Sequence, residues 1–120
     1  MANQPAGAAL EVSRRKFGGL VAPVESNPTV GVAAAQLLGA NPERVSVLFL
    51  NLSANSVYLS PKPNAATTNG IYLAANGGVF STNADDDGVF PATAFYAIAG
   101  GAGSQMYILQ MIRTDRSGGE

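Results

Sequence analysis

Residues 44–60, RVSVLFLNLSANSVYLS, constrain the fold of this chain more than any other stretch. A nearly continuous apolar run is followed by a small polar turn and a second apolar segment, rich in Val, Leu, Phe and Tyr. Such residues favour the pleated, half-buried surface of a sheet. Segments of the same kind recur at 70–80 (GIYLAANGGVF), 94–100 (AFYAIAG) and 105–113 (QMYILQMIR). Six or seven short strands with a turn signal every 8–12 residues predict an all-β fold. We expect an antiparallel β-sandwich or jelly-roll-like body.

The chain of 120 residues suits one domain. Residues 1–28 hold no helical or strand period and are punctuated by Pro5, Gly7, Gly18, Gly19, Pro23 and Pro28. They read as an extended N-terminal arm, residues 29–113 as the sandwich domain and 114–120 as a polar C-terminal tail. Within the body, 29–34 (TVGVAA) reads as a strand, with a short helix over 33–38 as an alternative. In 44–51, Val45, Val47 and Phe49 alternate with Leu48 and Leu50, so both faces are expected to be covered. Ser53-Ala54-Asn55 then reads as a hairpin turn into 56–60, where Pro61 and Pro63 end the strand. Strands follow at 71–74 and 79–82 around an Asn76-Gly77-Gly78 turn, then a polar loop over 83–88. The last strand places Met106, Ile108, Gln110 and Ile112 on one face and Tyr107, Leu109, Met111 and Arg113 on the other. A strand apolar on both faces leaves a patch that a neighbour must cover, so Tyr107, Leu109 and Met111 are the expected subunit interface.

Composition argues against chemistry. There is no Cys and no His, which removes disulfides, thiolate ligands, the usual general base and the commonest transition-metal ligand. No GxGxxG or GxSxG occurs, and the glycines read as turn residues. Neither Lys16 nor Lys62 lies in an apolar setting that would make it a base. Asp85-Asp86-Asp87 is the one dense carboxylate cluster, but consecutive acids lack the spacing of a calcium loop. It reads as a solvated loop or an acidic docking loop for a basic partner. No catalytic residue, metal or cofactor is expected.

Net charge is −1, without the basic face that nucleic acid requires. Nothing approaches the ~18 apolar residues of a membrane helix. The first residues lack the basic-then-apolar order of a signal peptide, so the chain is expected to be made in the cytoplasm and stay soluble. Arg14, Arg15 and Lys16 beside Phe17 form a basic run in the arm, suited to docking on a partner's carboxylates. Tyr58, Tyr72, Tyr96 and Tyr107 sit inside strands at core-like spacing, which favours core or interface roles over a sugar-binding surface.

The succession ANPERVSVLFLNLSANSVYLS, TTNGIYLAANGGVF and ATAFYAIAGGAGSQMYILQMIR resembles small virion β-sandwich proteins of tailed bacteriophages, the head decoration or cement proteins. The resemblance spans 37–113 and rests on framework residues: Asn41-Pro42 with Arg44, Asn51-Leu52-Ser53, Asn69-Gly70 and Tyr96-Ala97-Ile98. It implies a homotrimer on the outer surface of a capsid, bound to the major capsid protein and stabilising the shell. The arm lies outside the resemblance, and Arg14, Arg15, Lys16 and Phe17 are our own expectation for its docking contact. A head-fibre or tail module that binds a host receptor or glycan is the alternative.

Overall fold

The computed structural model describes residues 19–115. Its strands are β1 (Leu20–Ser26), β2 (Thr29–Val30), β3 (Ala35–Leu38), β4 (Arg44–Asn51), β5 (Val57–Ser60), β6 (Ile71–Leu73), β7 (Val79–Asn83), β8 (Phe95–Ala99) and β9 (Ser104–Asp115). A four-residue helix, α1 (Ala84–Asp87), and a 3-10 turn (Phe90–Ala92) separate β7 from β8. The strands form two antiparallel sheets, β1-β9-β4-β7 with β2 also on β9, and β3-β8-β5-β6. The chain is an antiparallel β-sandwich, as its strand pattern predicts.

The core lies between the sheets. Val47 and Phe49 of β4 with Met106 and Ile108 of β9 face Val57, Leu59, Leu73, Phe95, Ala97 and Ala99. Four phenylalanines close one part of it. Phe49 and Phe95 meet at 4.9 Å with rings inclined by 61°, and Phe90 meets Phe95 at 5.5 Å. Phe80 stands opposite Phe49 in the β4–β7 pair. Edge-to-face contacts of this kind add to area burial because the rings' positive edges meet negative faces.

Three expectations are corrected. Residues 44–60 are not a hairpin: β4 pairs with β7 and β9, while β5 pairs with β6 and β8 in the other layer. The turn at 53–55 therefore carries the chain from one sheet to the other. Residues 20–28, expected in the arm, belong largely to the body. β1 pairs along β9 from Leu20 to Ser26, and Met106 N–H donates to Pro28 O at 3.0 Å. Pro23 is tolerated there because β1 is an edge strand, where a missing donor costs little. Residues 35–38 are neither turn nor helix but an edge strand of the second sheet, paired with β8.

A bulge resets β4. Arg44 stands opposite Ile112 and Ser46 opposite Met111, so Val45 is the extra residue. Upstream of it the alternation changes phase, and Arg44 instead of Val45 turns inward. Only 4% of Arg44 is exposed. Its Nε donates to Gln110 Oε1 (2.8 Å), Nη1 to the carbonyls of Pro91 (3.1 Å) and Thr93 (3.0 Å), and Nη2 to that of Gly39 (2.8 Å). One guanidinium thus ties β4, β9, the 3-10 turn and the β3–β4 connection together. Burial lowers its pKa from the ordinary arginine value, yet arginine stays protonated across all working pH.

Candidate interaction surfaces

The register of the first sheet defines its outer face. Ser46 stands beside Met111, Leu48 beside Leu109 and Leu50 beside Tyr107, and on the other flank Ser81 and Val79 oppose Leu48 and Leu50. Their inward neighbours Val47, Phe49, Met106 and Ile108 fill the core, so these residues point away from it. Leu48, Leu50, Tyr107, Leu109 and Met111 are half-buried among themselves, and Val79 is exposed. Among the described residues no further layer lies over this face. The expected interface residues Tyr107, Leu109 and Met111 thus lie in one row at the centre of an apolar band. A groove of about 300 Å³ runs across it, lined by Ser46, Leu48, Ser81, Asn83, Leu109 and Met111 among others.

Tyr107 carries the band's polar edge. Its hydroxyl donates to Glu25 Oε2 at 2.7 Å. That hydrogen bond, with burial and the carboxylate charge, raises the phenol's pKa above its ordinary value. At the groove's end of the strands, Arg113 Nε and Glu43 Oε1 pair at 2.7 Å, and Arg113 N–H donates to Glu43 O at 2.7 Å.

Asp85, Asp86 and Asp87 do not form the expected loop; they are the first turn of α1. Asn83 caps it, its Oδ1 accepting from Asp86 N–H at 2.9 Å. Asn is a strong N-cap, and acids in a first turn complement the helix dipole. Asp87 Oδ2 reaches back to accept from Thr82 Oγ1 (2.6 Å) and Asn83 N–H (3.1 Å). Asp85 and Asp86 are exposed. Among the described residues no cluster of His, Cys, Asp or Glu is placed to hold a metal ion.

The Thr82 hydroxyl and then the Asn83 N–H hold the Asp87 carboxyl below the usual aspartate range, against a small opposing effect of burial. A lowered folded-state pKa means a stabilisation present above the ordinary aspartate pKa and lost as pH falls through the folded value. In a urea titration across the acid range, Thr82→Val is expected to flatten the decline that the native chain shows there. A native and variant decline of equal slope would sink the assignment.

The second sheet presents a different outer face. Tyr58 stands between Tyr72 and Ile98, and Ser60 opposite Tyr96. Tyr72 is 58% exposed, and its ring lies 5.4 Å from that of Tyr58 at 49°. None of the four tyrosines belongs to the core, contrary to their core-like spacing. Alternation alone says which residues share a face, not which face is inward.

A buried polar knot lies at the opposite end of the sandwich. Asn51 is fully buried; its Nδ2 donates to the carbonyls of Asn55 (2.7 Å), Leu73 (3.2 Å) and Ala74 (3.1 Å). Its Oδ1 accepts from Ser53 N–H (3.0 Å) and Ser53 Oγ (2.8 Å). Ser104, also buried, donates to Gly101 O (2.8 Å) and accepts from Asn55 Nδ2 (3.1 Å). Gly78 closes the knot, since a Cβ there would stand 2.2 Å from Ala74 N. Asn51 and Ser104 have no solvent access and their partners are backbone groups and neighbouring turn side chains, so the knot is a structural joint. Arg14, Arg15, Lys16 and Phe17 lie outside the described residues.

No protein-family model and no curated protein matches the chain. Among solved structures it is similar to one from Bacillus endospore appendages, described as a novel family of disulfide-linked pili. The identity is 12% and the TM-score 0.46, with 79% of this chain and 87% of that chain covered. This chain has no cysteine and can make no disulfide link.

Proposed function

We propose that this chain is a non-catalytic structural subunit that associates through the outer face of its first sheet. The assembly it serves is the head of a tailed bacteriophage, where it acts as a decoration or cement protein. One observation supports the coarser part: the apolar band of Leu48, Leu50, Tyr107, Leu109 and Met111, over which no described residue forms a further layer. Contiguous apolar surface on a small domain is costly in water and marks a contact surface. The virion setting rests on the resemblance of 37–113 to phage head proteins. Its partners in this reading are the major capsid protein and further copies of itself, as a homotrimer. No cofactor, metal or nucleic acid takes part.

A protein that binds only the assembled shell stabilises it by about 2.7 kcal/mol per site when its free concentration is 100-fold above Kd. Heads of the encoding phage, assembled without the chain and expanded, are expected to bind it in co-sedimentation and to survive heating better. Leu109→Arg, which puts a charge into the band without touching the core, is expected to lose most of that binding while keeping the β circular dichroism. Native chain left in the supernatant, or heads equally heat-labile with it bound, would refute the cement role.

The exposed Tyr72 beside Tyr58 favours a second reading, a fibre or tail module that binds glycan, because aromatic faces stack on sugar rings. That reading predicts hits on a glycan array that Tyr72→Ala abolishes. An array without hits counts against it.

A further inference from the structure

Asparagine followed by glycine occurs twice in the chain, at Asn69-Gly70 and Asn76-Gly77. In such a pair the glycine backbone nitrogen can attack the asparagine side-chain carbonyl, because no glycine side chain blocks the approach. The bond from that nitrogen to Cγ forms, the Cγ–Nδ2 bond breaks, ammonia leaves and a cyclic imide remains. Water then opens the imide to aspartate or, with the chain running through the side chain, to isoaspartate. The step needs water alone and no oxidant, reductant or cofactor. The attacking nitrogen must give up its proton, so a fold that holds this N–H in a hydrogen bond slows the reaction.

The two pairs are held differently. Gly77 N–H donates to the carbonyl of the buried Asn51 at 2.8 Å, and Asn76 N–H donates to Ser53 O at 2.7 Å. Asn76 is thereby fixed against the polar knot, with a φ of 59°. Asn69 and Gly70 are both exposed. Gly70 precedes β6, and among the described residues its N–H has no hydrogen-bond partner.

Asn69 also ties down the loop that carries it. It pairs with Ala66 through two backbone hydrogen bonds of 3.0 Å, and its Nδ2 donates to Asn64 O at 2.9 Å. Asn64 Oδ1 in turn accepts from the hydroxyl of the buried Ser60 at 2.7 Å. These bonds fold residues 61–69 back beside Tyr58, where a Cβ on Gly70 would stand 3.3 Å from Tyr58 Cβ. Isoaspartate inserts an extra methylene into the backbone of this paired turn. Either product replaces the Nδ2 donor by a carboxylate facing the Asn64 carbonyl, two acceptors with no proton between them. It also adds a negative charge to residues 45–84, whose sole charged side chains before α1 is that of Lys62.

We infer that Asn69 is a site of spontaneous deamidation and isoaspartate formation in the folded chain, that Asn76 is protected, and that the modification frees the 61–69 loop beside the outer face of the second sheet. The test incubates the folded chain at mildly alkaline pH and maps its peptides by mass spectrometry. Isoaspartate is read by enzymatic methylation. The Asn69 peptide is expected to gain the amide-to-acid mass difference at least about tenfold faster than the Asn76 peptide, the rate factor of one ordinary hydrogen bond. In urea the two rates are expected to converge, and Asn69→Ser is expected to remove the folded-state methylation while keeping the β circular dichroism. Hydrogen exchange at the Ala66 amide is expected to speed up about tenfold or more in the isoaspartate fraction, because its acceptor is displaced. Equal folded-state rates at the two sites, a faster Asn76, or a ratio that persists unchanged in urea would overturn the assignment. Native exchange at Ala66 in the isoaspartate fraction would overturn the release of the loop.

Discussion

Arg44→Ala is expected to destabilise the protein by about 4 kcal/mol, enough to unfold much of a marginal small domain at room temperature. The side chain is buried and makes four hydrogen bonds, to Gln110 Oε1 and the carbonyls of Pro91, Thr93 and Gly39. Alanine leaves those acceptors without donors inside the sandwich, and each lone buried acceptor costs about 1–3 kcal/mol. Part of that loss is relieved by water entering the space, which keeps the total near 4 kcal/mol instead of the full sum. Arg44→Lys is expected to recover less than half, because an ammonium lacks the planar fork that reaches four acceptors at once. Equilibrium urea denaturation measures both. A loss below about 1 kcal/mol for Arg44→Ala would show that the clasp is not structural.

Asn51→Leu should cost about 3 kcal/mol and lower Tm by about 15 °C, read by calorimetry. Leucine keeps the branching of the side chain, but its methyls are bulkier than the amide oxygen and nitrogen, so the cost combines the lost hydrogen bonds with some overpacking. Three carbonyls lose this donor, although Ala74 O keeps Gly78 N–H and Asn55 O keeps the Ser53 hydroxyl, and Ser53 N–H loses its acceptor. Asn51→Asp keeps the acceptor and loses the donors, while turning a negative charge toward the carbonyls of Asn55, Leu73 and Ala74. It is expected to be at least as damaging at neutral pH and to recover partly in acid, where the carboxyl is protonated. Equal stability of Asn51→Leu and the native chain would remove the joint from this account.

Both residues mark where sequence reasoning stopped. The strand segments after residue 44 are legible because Val, Leu, Phe and Tyr cluster between Asn, Gly and Pro signals. The parity of β9 holds along Met106, Ile108 and Gln110 on the inside and Tyr107, Leu109 and Met111 on the outside. Parity depends only on the pleat, which sequence fixes locally. Layer assignment does not. A polar turn after an apolar run suits a hairpin and a crossover equally, and the buried Asn51 that makes 53–55 a crossover looks like any turn asparagine. The bulge at Val45 is likewise invisible, because it arises from the pairing with β9. β1 was hidden by Pro23 and by its scarcity of large apolar groups, which an edge strand tolerates. The candidate site is half legible: the Tyr107–Leu109–Met111 row follows from alternation, but its neighbours Leu48 and Leu50 join it only through the register. Asn83 before three acids is a readable N-cap signal that a loop assignment passes over.

The central claim is that the outer face of the first sheet joins copies of this chain. Light scattering of the purified chain at micromolar to millimolar concentration tests the self-association most directly. A mass of three times 12.2 kDa, or a mass rising in multiples of that unit, is predicted for the native chain. A single 12.2 kDa species is predicted for Leu109→Arg. A native chain that stays at 12.2 kDa throughout, or a Leu109→Arg variant that assembles as the native chain does, would contradict the account.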